Sequence, residues 1–107
     1  MMAIAKTFDS VQIDLPMEKI ITLCRQYHIH ELALFGSVLR DDFGPDSDID
    51  VLIRFEPDVH IGYFRFFGIE QELAHILNRE VELFTPDSLR QFAREEALRT
   101  CKVIYAA

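Results

Sequence analysis

The run Asp48-Ile49-Asp50-Val51-Leu52-Ile53-Arg54-Phe55 constrains this chain more than any other stretch. Its β-branched and aromatic residues mark a strand. A strand turns Asp48 and Asp50 to one face, with their Cα atoms about 6.6 Å apart at ~3.3 Å rise per residue, and points Ile49 the other way into the core. Two carboxylates on one face repel each other unless a cation or a proton sits between them, and an otherwise apolar strand keeps them only at a cost without such a partner.

The rest of the chain supplies elements to surround that strand. Met17, Ile20, Ile21, Cys24 and Tyr27 recur at helical spacing after Pro16, with Asp14 placed as a possible cap. Glu31 to Phe35 is a short apolar run that ends at Gly36, hence a neighbouring strand. Ser37 to Ser47 is a polar loop with room for one helical turn after Ser37. Phe66, Ile69, Leu73, Ile76 and Leu77 mark one face of a second helix that runs to about Asn78. Glu80 to Phe84 alternates as a third strand, and Thr85-Pro86 offers a start for a third helix lined by Leu89, Phe92, Ala93 and Ala97. Lys102 to Tyr105 adds a short last strand. Residues 1–14 show little periodicity and read as an N-terminal arm, although Val11 to Leu15 alternates like a short strand. The order predicts an α/β (α+β) domain over 15–107, a small mixed β-sheet with helices packed on it.

At 107 residues the chain holds one ordinary core. Eighteen acidic against eleven basic residues leave a net charge of −7, with no basic run to track a phosphate backbone, so direct stable DNA binding is not expected. A nucleotide would need a cation to mediate. There is no signal-like start and no apolar run long enough for a bilayer, so no membrane association is expected and the protein is placed in the cytoplasm. Cys24 and Cys101 form no paired motif, which suits a reducing compartment and small buried side chains. His28, His30, His60 and His75 lack zinc-ligand spacing.

Chemistry concentrates in Gly36-Ser37 followed, after ten intervening residues, by Asp48-Ile49-Asp50. Carboxylate ligands of this kind favour Mg²⁺, which usually takes one or two of them and completes its shell with water and phosphate oxygens, so the metal would arrive with a nucleotide. Gly36 lets the backbone approach closely, and Ser37 with the following turn can hold an anionic phosphate. Arg40 either pairs with a phosphate through its planar guanidinium or forms a surface ion pair with Asp41 or Asp42. Glu82 shares a face with the two aspartates if its strand lies beside theirs. It would then complete a two-metal site or take the proton of an incoming hydroxyl.

The stretch Gly36-Ser37-x₁₀-Asp48-x-Asp50, followed by Val51-Leu52-Ile53, resembles the signature of DNA polymerase β-like nucleotidyltransferases. In so short a chain the resemblance is nearest to the minimal nucleotidyltransferase (MNT) proteins, the antitoxin halves of HEPN/MNT toxin–antitoxin pairs, and it spans roughly Leu15 to Tyr105. It implies that Asp48 and Asp50 bind Mg²⁺, two ions with ATP as substrate, that Gly36 and Ser37 contact the phosphates, and that Glu82 is the third acid. The family usually has Asp at that last place. One extra methylene moves the carboxylate by about 1.5 Å, a displacement on the scale that costs about 100-fold in rate. Some members transfer AMP from ATP to a tyrosine hydroxyl of the HEPN RNase toxin; others neutralise it by contact alone, and the resemblance leaves both open. Transfer to a small molecule fits less well, because such relatives usually carry a further substrate-binding domain. Homo- or hetero-oligomers are both compatible with the sequence.

Tyr63, Phe64, Phe66 and Phe67 cannot all face one narrow side of a helix. They either anchor an interface or fill a gap below the loop after Pro57.

Overall fold

The computed structural model describes residues 13–40 and 43–107, the side chain of Phe92 excepted. Most of the proposed N-terminal arm, and the two acids offered as ion-pair partners for Arg40, lie outside the described residues.

Helix α1 (Met17–Gln26) buries Ile20, Leu23 and Cys24, one face at the i, i+3, i+4 spacing of an amphipathic helix. Pro16 is its N-cap with a non-helical ψ of 83°, and its carbonyl accepts the N–H groups of Lys19 and Ile20. Asp14 therefore lies too far upstream to cap, and no side-chain cap bond forms. His28 takes a left-handed φ of 58° and turns the chain into β1 (Ile29–Phe35). A 3₁₀ turn over Gly36–Leu39 follows, then a loop, then β2 (Ile49–Phe55). Helix α2 (Tyr63–Leu77) ends on Asn78, whose left-handed φ of 57° is a common way to stop a helix. β3 (Val81–Phe84), α3 (Gln91–Thr100) and β4 (Lys102–Ala106) complete the order.

Thr85-Pro86 does not open α3. Pro86–Ser88 closes as a separate 3₁₀ turn in which Ser88 Oγ accepts the Thr85 N–H at 3.0 Å and donates back to the Thr85 carbonyl at 2.9 Å. Those local bonds compete with helix propagation. Leu89 and Arg90 are extended, and α3 begins at Gln91 with only Ala97 of its small apolar residues buried.

Among the described residues the strands form one mixed sheet in the order β3-β2-β1-β4. β1 pairs antiparallel with β2 and β4, and β2 pairs parallel with β3. A parallel pair needs a crossover, which α2 provides. One sheet face carries Leu32, Leu34, Ile49, Val51, Ile53, Leu83 and Ile104 into a core with the buried residues of α1 and of α2 (Ile69, Leu73, Leu77). Phe66 and Ile76 of α2 pack at its margin. Each such side chain contributes about 1.5–3 kcal/mol by leaving water. Tyr27 Oη donates to Glu72 Oε2 at 2.6 Å and ties α1 to α2.

No described helix is long and apolar enough to cross a membrane. Cys24 is buried and its thiol is pushed up to about 12 by desolvation, as a small inert core residue should be; Cys101 is half-exposed. The aromatic group divides: Phe66 packs on the core, whereas Tyr63, Phe64 and Phe67 are 81%, 87% and 52% exposed.

Candidate active site

The opposite face of the sheet carries the acids. β1 and β2 register Phe35 against Asp50, and β2 and β3 register Asp50 against Glu82. Residues in register on neighbouring strands share a face and stand about 4.8 Å apart. Asp50 and Glu82 are therefore side by side, with Asp48 just ahead of the strand start at Ile49. The condition the sequence left open, that the strand of Glu82 lies next to that of the aspartates, is met.

Gly36 follows directly on Phe35 and has a φ of +81°, a conformation that L side chains rarely adopt. A Cβ added there would meet Asp50 Oδ2 at 2.5 Å. The absent side chain thus lets the start of the turn approach the Asp50 carboxylate. The turn is fastened by the Arg40 N–H donating to the Ser37 carbonyl at 2.8 Å, and Val38 is buried beneath it. Ser37 is half-exposed at the same end of the sheet. The glycine-headed turn and the acids therefore converge as the motif spacing required.

The electrostatics are those of a site short of positive charge. Asp50 is half-buried, and its carboxyl is raised from 3.8 to about 6, first by desolvation, then by the negative charges of Glu82 and Asp48, with Arg40 pulling the other way. Glu82, Asp48 and Arg40 are thus each within electrostatic reach of Asp50. Two rings lie beside the carboxylates. Phe35 and Phe84 meet edge to face across β2, centroids 5.6 Å apart, an aromatic lining the sequence reading did not anticipate. It follows from strand register alone: Phe35 pairs with Asp50 and Phe84 with Leu52.

Among the described residues no group of three or more His, Cys, Asp or Glu side chains forms a metal cage by itself. The donor set nonetheless fits Mg²⁺. The candidate donors are hard carboxylate oxygens, burial and then their mutual repulsion lift Asp50, and Mg²⁺ ordinarily leaves most of its shell to water and substrate phosphate.

A mixed sheet with paired acids beside a glycine-headed turn defines a class of enzyme that moves nucleotidyl groups from a triphosphate. The nucleotidyltransferase domain family matches residues 17–104. The protein adenylyltransferase MntA of Thermococcus cleftensis is 30% identical over 83 residues, 78% of this chain and 80% of that protein. Two solved structures share the fold. A crystal structure of a toxin–antitoxin with AMP-PNP has a TM-score of 0.70 at 24% identity, covering 87% of this chain and 75% of that one. The tri-AMPylated Shewanella oneidensis HEPN toxin in complex with its MNT antitoxin gives 0.62 at 24% identity, covering 84% and 69%. This chain belongs to the nucleotidyltransferase domain family and is a nucleotidyltransferase.

Proposed function

We propose that this chain transfers AMP from ATP to a hydroxyl of a HEPN RNase toxin, a tyrosine hydroxyl by the family resemblance, and so acts as its antitoxin. The observation that carries the reading is the in-register placement of Asp50 and Glu82 on neighbouring strands, with Asp48 just before Asp50 and Gly36 against the Asp50 carboxylate. The name of the MntA relative supports an adenylyl donor.

In this reading Asp48 and Asp50 hold Mg²⁺, and Glu82 is either a further ligand or the acceptor of the hydroxyl proton. Bound Mg²⁺ neutralises the triphosphate and the departing pyrophosphate. Gly36 and Ser37 hold phosphate oxygens, and Arg40, whose charge already acts on Asp50, faces the same anion. The acceptor oxygen forms a bond to the α-phosphorus as the bond to pyrophosphate breaks, and the acceptor's proton passes to a carboxylate. The half-buried setting of Asp50 strengthens its attraction for a cation relative to open water.

The test is label transfer from α-labelled ATP, with Mg²⁺, to the protein encoded beside this one, for the wild type and for Asp48→Ala. Label on the neighbour that vanishes in the variant supports the reading. Equal label with both forms refutes the assignment of Asp48. No label, with the neighbour's RNase still suppressed by both forms, makes this chain a neutralising binder, the reading that the longer Glu82 side chain favours.

A further inference from the structure

The loop that leads into Asp48 is held from across the fold by one guanidinium. Arg79, half-buried just after the left-handed Asn78, donates from Nη2 to the Gly44 carbonyl at 2.6 Å and to the Ser47 carbonyl at 2.8 Å. Its guanidinium carbon lies 4.4 Å from the centroid of the Phe43 ring, within cation–π range. The loop is also closed on itself: the Gly44 N–H donates to Ser47 Oγ at 3.0 Å, and the Ser47 N–H to the Gly44 carbonyl at 3.1 Å. One residue beyond Asp48, the Ile49 N–H donates to the Glu80 carbonyl at 2.9 Å.

These bonds bracket Asp48. The peptide before it, through the Ser47 carbonyl, is tied to Arg79, and the peptide after it, through the Ile49 N–H, is tied to Glu80. Residues 79 and 80 lead directly into the strand that bears Glu82. Asp48 precedes β2, so the ladder of that strand does not by itself fix its backbone. We propose that Arg79 is a positioning residue for the metal site, setting Asp48 relative to Asp50 and Glu82 by clamping residues 43–47. The inference rests on the reading of Asp48 as a metal-holding acid. A guanidinium suits the task because Nη2 at its far end serves both carbonyls while the flat, weakly hydrated group lies over the Phe43 ring, and a lysine ammonium on its shorter stem lacks that reach and that plane.

The test is titration calorimetry of AMP-PNP on the whole chain, with and without Mg²⁺, for wild type, Arg79→Lys and Arg79→Gln, alongside circular dichroism. Partners that orient metal ligands typically matter by 10–100-fold in metal affinity. Arg79→Lys should therefore need about tenfold more Mg²⁺ for half-maximal enhancement of nucleotide binding, and Arg79→Gln more still, while affinity without Mg²⁺ stays at the wild-type value. Arg79→Lys keeps the charge and most of the aliphatic stem but not the reach of Nη2, so it decides the matter if Arg79→Gln does not fold. The same Mg²⁺ requirement in folded Arg79→Lys and wild type would overturn this inference alone. Equal loss of affinity with and without Mg²⁺ would also overturn it, since that is the signature of general damage to the fold. Wild-type binding indifferent to Mg²⁺ would overturn the metal-site reading and this inference with it.

Discussion

Replacing Asp50 by Asn should make the metal-free protein more stable while removing its activity. The carboxyl is lifted from 3.8 to about 6 by burial and by its negative neighbours. In a dry site that change would cost about 3 kcal/mol at neutral pH, at ~1.36 kcal/mol per pKa unit. Asp50 is half-exposed, so water screens the penalty to about 1–2 kcal/mol. Between pH 3.8 and about 6 the folded chain binds more protons at this position than the unfolded one, so wild-type stability falls as pH rises through that window. The penalty is complete above the folded value and absent below the unfolded one. Urea unfolding in EDTA should show Asp50→Asn more stable than wild type at pH 7.5, with the gap closing as the pH is brought to 4. A variant equal to or weaker than wild type at pH 7.5, or a gap of constant size across the range, would refute the account. Adding Mg²⁺ with AMP-PNP should close the gap from the other side, by stabilising the wild type alone.

Three further outcomes follow from the same geometry. Gly36→Ala combines a positive φ of +81° with a Cβ 2.5 Å from Asp50 Oδ2, so it should lower stability by about 1–3 kcal/mol and abolish nucleotide binding by calorimetry; adding Asp50→Ala should recover only the part due to the clash. Glu82→Gln removes the larger of the two negative neighbours of Asp50, so the Asp50 carboxyl, followed by ¹³C NMR, should titrate below its present value of about 6. Phe64 is 87% exposed, so Phe64→Ala should shift the urea midpoint by no more than a change of about 0.5 kcal/mol would cause.

How much of this was legible in the sequence depends on how far each interaction reaches along the chain. The DIDVLIRF strand, the turn after Ser37 and the end of α2 at Asn78 are set by neighbours a few residues away, and periodicity with turn chemistry exposes them. Errors of detail arose where two local preferences compete. Thr85-Pro86 has the look of a helix start, but Ser88 satisfies Thr85 first and the chain runs extended before α3. Of the four aromatics of the 63–67 stretch, only Phe66 goes inward, a choice made by where the core lies rather than by the residues themselves. Arg79 gave no signal at all. It reaches carbonyls 35 and 32 residues back in the chain, and carbonyls carry no residue identity for a sequence to display.

The convergence of Glu82 on the aspartates has a simpler cause, a match of lengths. β2 has seven residues and spans about 23 Å at ~3.3 Å each. α2 has fifteen and spans about 22 Å at ~1.5 Å each. A helix that retraces the strand it follows returns the chain to the end from which that strand set out. β3 therefore begins beside Ile49, and its second residue is Glu82, level with Asp50. The same return brings Arg79 up against the loop before Asp48. A helix one turn shorter or longer would end about 5.4 Å away, moving Glu82 out of register with Asp50 and Arg79 away from the carbonyls of Gly44 and Ser47. Besides burying Ile69, Leu73 and Leu77, α2 acts as the spacer that assembles a site from residues more than thirty positions apart.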